Sequence, residues 1–458
     1  MAAPRILIVG GGFAGMEAAH KLQKLLKPGE ARLILASPFD YQLYLPLLPQ
    51  VASGVLTPQA VAVALRRILR HTELLPGGAV GIDTDAKAVV VKKITGELVV
   101  EPYDYLVLAP GSVTRKFDVP GLEEYGVGVK NLAEAMWIRD HVIGQLDLAA
   151  ASTDLEEQQS RLRFLVVGGG YAGTETAACL QRLTTAAAKA YRGLNPDLIK
   201  WHLVDVAPKL MPELGDELGE KALEIMRRRG VDVALGVSVK EITRDTVTLT
   251  DGRVLPCRTV IWTAGVAPSP LIATLDAPTN RGRLVVTPEL TVPGLPGVFA
   301  LGDAAAVPDI AVGGDAICPP TAQHAMRQGW AVARNVVATL RGEPLKPYKH
   351  KDLGLVVDLG GIDAVSKPLG IPLVGLPAQL VARGYHLAAL RTVTARVRTV
   401  ANWALNAIAG DDFVRIGFPK PKTLTKFELT DVYLTAEETR KAVAMYLGDD
   451  AHAHEHAG

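Results

Sequence analysis

Short, unbroken apolar runs punctuate the chain, and two of them introduce near copies of one pattern. Ile6-Leu7-Ile8-Val9 leads into Gly10-Gly11-Gly12-Phe13-Ala14-Gly15 and then an Ala-rich amphipathic run, as Phe164-Leu165-Val166-Val167 leads into Gly168-Gly169-Gly170-Tyr171-Ala172-Gly173. Between Arg5–Ala19 and Arg163–Ala177, ten of fifteen positions are identical at an offset of 158 residues. A short apolar run bounded by glycines predicts a strand buried on both faces, and the amphipathic run after it predicts a helix. Strand, G-x-G-x-x-G and helix together open a dinucleotide-binding βαβ unit, here present twice. The first glycine permits the tight turn, the second lets backbone approach a pyrophosphate, and the third lets the helix pack on the strand. The pyrophosphate then meets the positive end of the helix.

The second strand of each unit distinguishes the copies. Lys200-Trp201-His202-Leu203-Val204 ends on Asp205, and no Arg or Lys follows within three residues. A carboxylate there accepts from adenosine ribose hydroxyls, so this unit is expected to prefer NADH to NADPH. Arg32-Leu33-Ile34-Leu35-Ala36 ends on Ser37 instead, a cofactor contact or only a turn residue. Far downstream, Ala364 to Gly410 holds 47 consecutive residues without Asp or Glu but with Lys367, Arg383, Arg391, Arg396 and Arg398. Leu369, Ile371, Leu373, Val374, Leu376, Leu380 and Val381 crowd its first half, and Val393, Val397, Val400, Ala404 and Ile408 recur near helical spacing beside Trp403. Its uncharged run Pro368–Ala382 has 15 residues and three prolines, too short and broken to span a bilayer. A basic, apolar surface lies on a membrane, forms a dimer interface or covers a domain.

Composition narrows the classes. With 458 residues, 48% hydrophobic, the chain has room for two to four domains with their own cores. Forty-nine Lys and Arg against 48 Asp and Glu leave a net charge of +1, which gives no general attraction to nucleic acid. Three cysteines make no disulfide framework, and Met1–Arg5 runs straight into the first strand without a secretory apolar stretch, so a reducing cytoplasmic setting is expected. Cys179 reads as helix core, Cys257 as a turn residue and Cys318, beside Pro319, as a thiol of no assigned role; no metal set is expected. Residues 149–161 read as a polar linker and 449–458, with three alternate histidines, as a disordered tail.

The chain resembles the flavoproteins with two dinucleotide-binding domains, in which the first unit holds FAD and the second NAD(P)H. The resemblance rests on the two glycine loops, on Tyr105-Leu106-Val107-Leu108-Ala109-Pro110-Gly111-Ser112 and on Gly297-Val298-Phe299-Ala300-Leu301-Gly302-Asp303. Within that superfamily Asp40 to Gly54 and Pro319-Pro320-Thr321-Ala322-Gln323-His324-Ala325 look like signatures of the type II NADH dehydrogenases, the non-proton-pumping NADH:quinone oxidoreductases; Gly375-Leu376-Pro377-Ala378 and His386-Leu387 are similar more loosely. The Cys-x-x-x-x-Cys pair of the disulfide reductases is missing from Tyr41–Leu48.

The implied fold is α/β, two Rossmann-like domains and a C-terminal α+β membrane-facing region. It is divided as 1–120 and 266–345 for FAD, 125–265 for NADH, 346–448 for the C-terminal part and 449–458 for the tail. The resemblance implies FAD as cofactor, NADH as donor and a quinone as acceptor, with peripheral attachment to the cytoplasmic face of a membrane and a homodimer as a further option. It implies cofactor contacts from Gly10, Gly12, Phe13, Ala14, Gly15, Ser37, Pro46, Val80, Ala109, Gly111, Gly302, Asp303 and Ala322 on the FAD side. On the NADH side it implies Gly168, Gly170, Tyr171, Ala172, Gly173, Asp205 and Gly265. Glu175 matches a carboxylate beside the nicotinamide, although Glu17 holds the same place in the first copy and allows a shared structural role instead. Gln323 matches a glutamine near the quinone head group. Where the family repeats glutamine four residues on, this chain has Arg327, with Gln328 next to it. Arg327 therefore pairs with the acceptor, stabilises negative charge on the flavin, or faces an internal carboxylate. That departure keeps two rival functions open: a soluble FAD-dependent NAD(P)H oxidoreductase with another acceptor, and a low-turnover flavin protein that binds partners according to redox state.

Overall fold

In the computed structural model, which describes residues 3–115, 117–421 and 432–455, the two glycine-flanked apolar runs are the middles of two sheets. Ile6, Leu7 and Ile8 are wholly shielded, and so are Phe164, Leu165 and Val166, because both faces of each sheet are covered; in the second, Phe164 and Val166 cluster with Ala177, Ala178 and Leu180 of the helix Tyr171–Ala188, and Leu165 and Val167 with Val239, Ile242, Val247 and Leu249 of the strands Val239–Ile242 and Thr246–Leu249. In the first sheet the strand Arg5–Val9 lies between Arg32–Ser37 and Tyr105–Leu108, all parallel, with Val298–Ala300 returning alongside Tyr105–Leu108. Glu73–Asp83 extends it beyond Arg32–Ser37, and Ala88–Lys93 and Leu98–Pro102 close it antiparallel. In the second sheet Arg163–Val167 lies between Lys200–Asp205 and Thr259–Trp262, again parallel, flanked by Val231–Leu235 and Gly126–Gly128. In each, the chain leaves the central strand and reverses its order of addition, so the crevice at the strand's carboxyl end is a topological switch point, where open α/β sheets bind ligands.

Seven helices matter below: α1 Phe13–Leu25, α2 Leu132–Ala151, α3 Tyr171–Ala188, α4 Ala322–Arg341, α5 Leu376–Ala389, α6 Val393–Ala409 and α7 Ala436–Glu455. Helix α1 follows the first glycine loop and α3 the second. Helix α4 lies along α1, close enough that a Cβ at Gly329 would stand 2.6 Å from the Ala14 carbonyl oxygen. The stretch 149–161 departs from the expected linker: α2 runs to Ala151, and a further helix, Leu155–Arg161, starts where Asp154 accepts from the Glu156 N–H at 2.9 Å. Its Glu157–Arg161 ion pair at 2.7 Å then supports one helical turn.

Beyond α4 a three-stranded sheet, Val356–Asp358, Ala364–Ser366 and Leu373–Val374, carries α5 and α6. The stretch expected to be a tail is helical as far as Glu455, and 456–458 lie outside the described residues. Helix α7 packs Val443 against Val80, Ala88 and Val90 of the first sheet. Among the described residues no helix is long and apolar enough to cross a membrane.

Candidate active site

Both glycine loops take one geometry. Gly10 and Gly168 have φ of +103° and +112°, and a Cβ at Gly10 would sit 2.2 Å from the Ala109 carbonyl oxygen. Gly15 and Gly173 would drive a Cβ to 1.9 and 1.8 Å from the carbonyl oxygens of Gly10 and Gly168, so only glycine lets helix lie this close to strand. Gly12 and Gly170 differ from these: nothing stands within 4 Å of their Cβ positions, and neither caps its helix with a side chain. Each loop thus leaves open space above a helix start whose N–H groups favour an anion, which fits the pyrophosphates of FAD and NADH. Phe13, Ala14, Tyr171 and Ala172 form the first helical turns beside these openings.

Ser37 and Asp205 hold equivalent places over the loops. A Cβ at Gly11 would meet the Ser37 hydroxyl at 2.7 Å, and one at Gly169 would meet Asp205 Cβ at 3.1 Å. Asp205 accepts from the Gly169 N–H and, at 2.6 Å, from the Ala207 N–H, so the carboxylate both fixes the loop and faces it. The Ser37 hydroxyl instead donates to the Phe39 carbonyl at 2.8 Å, a turn contact.

At the first opening, Gly302 (φ +70°) lies 3.2 Å from Ala14 by its Cβ position and donates its N–H to Gln328 at 2.8 Å. Asp303 follows, accepting from the Ser112 hydroxyl at 2.5 Å, and Lys130 donates to that same hydroxyl at 2.9 Å. Burial lowers the Lys130 pKa, opposed by the charges of Asp303 and Glu134. Gly111 and Gly265 turn the chain with φ of +75° and +76°, and Pro46 lies in the short 3-10 helix Leu45–Leu47. Ala322 opens α4 behind Thr321, whose hydroxyl caps the helix by accepting from the His324 N–H at 3.3 Å. Val80 stands apart: its side chain belongs to the cluster under α7, and its carbonyl accepts from the Leu434 N–H at 2.8 Å.

The two acidic helix residues diverge. Glu17, itself buried, accepts from the Trp330 indole at 2.6 Å and from the guanidinium of the half-buried Arg391. Glu175 accepts from the Asp358 N–H at 2.8 Å, and burial, then the nearby Asp358 charge, hold its carboxyl well above the ordinary carboxylate range. Asp358 in turn accepts from the Gln50 amide at 2.8 Å, and Gln50 accepts from the Trp403 indole at 2.7 Å. A buried chain of polar groups thus runs from α6 to the second cradle. Tyr44 stacks edge-on against Phe13 and bonds His386 Nδ1 at 3.0 Å; burial pushes the His386 pKa down to about 4.

Gln323 and Arg327 share a helical face as their spacing requires, and Arg327 donates to the Gln323 carbonyl at 3.1 Å. The Gln323 amide is fully engaged: it donates to Asp352 at 2.6 Å and its oxygen lies 3.0 Å from His350 Nε2 and accepts from the Leu353 N–H at 2.9 Å. Among the described residues Arg327 makes no ion pair; its guanidinium lies 5.7 Å from the Trp330 ring centroid. The Tyr171 hydroxyl is buried without a hydrogen-bond partner among the described residues, its pKa raised by burial and by the charges of Glu213, Asp352 and Glu175. Asp352, whose charge acts on this tyrosine, also holds Gln323 at the start of α4.

Lys130, Gln50, Asp358 and Arg391 join the site without having been expected there. Gln50 lies within the recognised segment Asp40–Gly54, but Lys130 carries no local signal at all. The three cysteines are all buried and free, and no dithiol stands beside either cradle.

Residues 4–329 match the family model of the pyridine nucleotide-disulphide oxidoreductases. The chain is 32% identical over 421 residues to the type II NADH:quinone oxidoreductase NdhA of Mycobacterium tuberculosis, covering 88% of this chain and 87% of that protein. It is 30% identical over 421 residues to Ndh of the same organism, with 88% of each covered. Its backbone follows that of NDH2 from Plasmodium falciparum in complex with NADH, with a TM-score of 0.82 at 19% identity over 90% of this chain and 99% of that one.

Proposed function

The chain belongs to the pyridine nucleotide-disulphide oxidoreductase family, among its type II NADH:quinone oxidoreductases, and we propose from that membership that it oxidises NADH and reduces a quinone. FAD is its cofactor and, when bound, supplies the chemistry that accepts a hydride and releases two electrons. Gly10, Gly12, Gly15 and Asp303 hold it, with Ser112 and Lys130 behind the carboxylate. Gly168, Gly170, Gly173 and Asp205 hold NADH, and Asp205 sets the preference for NADH over NADPH. Glu175, whose pKa burial raises, orients the carboxamide of the nicotinamide, because hydride transfer requires near-contact and alignment of the reacting atoms. The start of α4 favours negative charge on the bound cofactor.

The observation that carries this reading is the pair of equivalent glycine cradles, each open at its second glycine and each set at the start of a helix. Arg327 in place of a second glutamine, together with the commitment of Gln323 to residues 350–353, favours as a second reading a soluble oxidoreductase with another acceptor. We further place the protein at the cytoplasmic face of a membrane, bound peripherally through α6, whose apolar residues point outward.

Anaerobic mixing with NADH, followed by menadione, tests the function. Yellow protein that bleaches quickly with NADH, slowly with NADPH, and recovers its colour with the quinone is expected. In turnover, Arg327→Gln should then shift KM for the quinone more than KM for NADH. Protein that cannot be reconstituted with FAD, or that bleaches slowly and is not reoxidised by quinone, would overturn the reading.

A further inference from the structure

Three side chains with no part in the proposed reaction meet between the loop 308–318 and the start of α4. Asp309, Cys318 and His324 each present a donor atom, and these atoms lie within 4.8 Å of one another. The backbone builds this meeting point. Asp309 N–H donates to the Ala316 carbonyl at 2.7 Å and Cys318 N–H to the Val307 carbonyl at 2.9 Å, so the loop closes and sets residues 309 and 318 side by side. His324 comes from the first turn of α4, where the Thr321 cap accepts from its N–H at 3.3 Å.

Each of the three side chains is held by its surroundings, the Cys318 thiol facing the Pro308 carbonyl at 3.8 Å. Cys318 and His324 are buried and Asp309 half-buried. Asp309 makes no ion pair among the described residues, and Arg283, the guanidinium beside Cys318, is spent on the Cys318 carbonyl at 3.1 Å. The Asp309 carboxylate is aimed by the Ala311 and Val312 N–H groups at 3.1 and 3.3 Å. His324 Nδ1 lies 2.9 Å from the Tyr348 hydroxyl. With the proton on Nδ1 and donated to that oxygen, Nε2 keeps the lone pair that a metal takes, the arrangement in which outer partners orient metal-ligating histidines.

We propose that Asp309, Cys318 and His324 bind one zinc ion, with water in the fourth position. A thiol, an imidazole and a carboxylate together suit this borderline ion; the sulfur argues against magnesium and calcium, and a single cysteine against an iron–sulfur cluster. Binding breaks the Cys318 S–H bond, forms zinc–sulfur, zinc–nitrogen and zinc–oxygen bonds, and releases one proton to solvent, with no change of oxidation state. Zinc bonds of about 2.0–2.3 Å require donor atoms roughly 3.5 Å apart, so the cluster closes by about an ångström, a movement the exposed residues 310–315 can absorb. The ion then staples the loop to α4 at the residue after Gln323, a structural role that stands whether or not the acceptor is a quinone.

Cobalt(II) titration of the full-length, flavin-loaded, chelator-treated protein decides this, since a thiolate band sets Cys318 apart from His452, His454 and His456, which supply no sulfur. One equivalent should give a thiolate-to-cobalt charge-transfer band in the difference spectrum, release one proton, and be displaced by zinc. Cys318→Ser should lose the band while keeping its flavin and its bleaching by NADH. Cobalt uptake by the unaltered protein without a thiolate band, or a band that survives in Cys318→Ser, would sink the proposal. The first of these is read without any variant, so a misfolded substitution leaves the test intact.

Discussion

Glu17 and Glu175 hold one position in two copies of one motif, yet their chemistry is opposite. Glu17 meets the Arg391 guanidinium, whereas Glu175 meets a backbone N–H and the neighbouring charge of Asp358. Both partners arrive from beyond residue 350, 374 and 183 positions away, so the sequence showed the shared glutamate and hid the difference. For an acid whose folded pKa lies above 4.5, the contribution to stability is whole below that unfolded value and is lost as pH rises through the folded one. Glu175→Gln does not titrate and keeps an oxygen for the Asp358 N–H. It should therefore raise Tm at pH 8 and leave Tm unchanged near pH 4. Calorimetry of the FAD-loaded protein without NADH checks this; equal shifts at both pH values would contradict a raised pKa. Glu175→Ala should slow flavin reduction by NADH by about 10²-fold at unchanged FAD content, in a stopped-flow trace, through lost alignment.

Elements were legible where the chain carries its own punctuation. The two strand–loop–helix openings and the start of α4 behind Pro319-Pro320 were read from local signals, because a glycine turn and an N-cap act within a few residues. The strands Val356–Asp358 and Ala364–Ser366 have three residues each, too few for any periodicity, and they bring Asp358 to Glu175. Which helix faces which was equally invisible. Gly329 reads as a poor helix former, and only the packing of α4 on α1 explains it: besides the Ala14 oxygen, a Cβ there would stand 2.9 Å from Glu17 Cβ and 3.0 Å from the Ala18 nitrogen. Because Ala14 and Gly15 begin α1 beside the first cradle, prising the helices apart should disturb that cradle. Gly329→Val should weaken FAD binding at least about tenfold, consistent with an overpacking cost of about 1–3 kcal/mol. The flavin-to-protein absorbance ratio after gel filtration measures it, and a ratio equal to that of the unaltered protein would refute the coupling of helix packing to the cofactor.

Across the whole molecule, the acid-free stretch divides into parts that face inward and parts that do not. Arg391 is consumed by Glu17, Arg383 lies 5.0 Å over the Trp403 ring, and Trp403, expected beside the apolar stripe at the surface, is only 9% exposed because its indole bonds Gln50. Helix α6 buries Ala395, Thr399 and Trp403 and turns the opposite stripe outward, with Val393, Val397 and Ile408 exposed by 73%, 61% and 86%. A helix that shows its apolar face to solvent is incomplete, since full burial of such a side chain is worth about 1.5–3 kcal/mol. Arg398 is exposed on the same helix, and Leu369, Ile371, Leu376 and Leu380 are exposed on the chain leading to it and on α5. Each basic residue near an anionic leaflet adds about 1 kcal/mol, so a lipid surface satisfies both features where a neutral protein surface satisfies one. The protein should co-float with vesicles containing anionic phospholipid at low salt and partly dissociate as salt is raised. Val397→Asp with Ile408→Asp should leave it in the aqueous fraction while NADH oxidation by ferricyanide, which needs no membrane, stays unchanged. Failure of the unaltered protein to float, or a doubling of its solution mass that the same two substitutions abolish, would instead assign this face to a second copy of the chain.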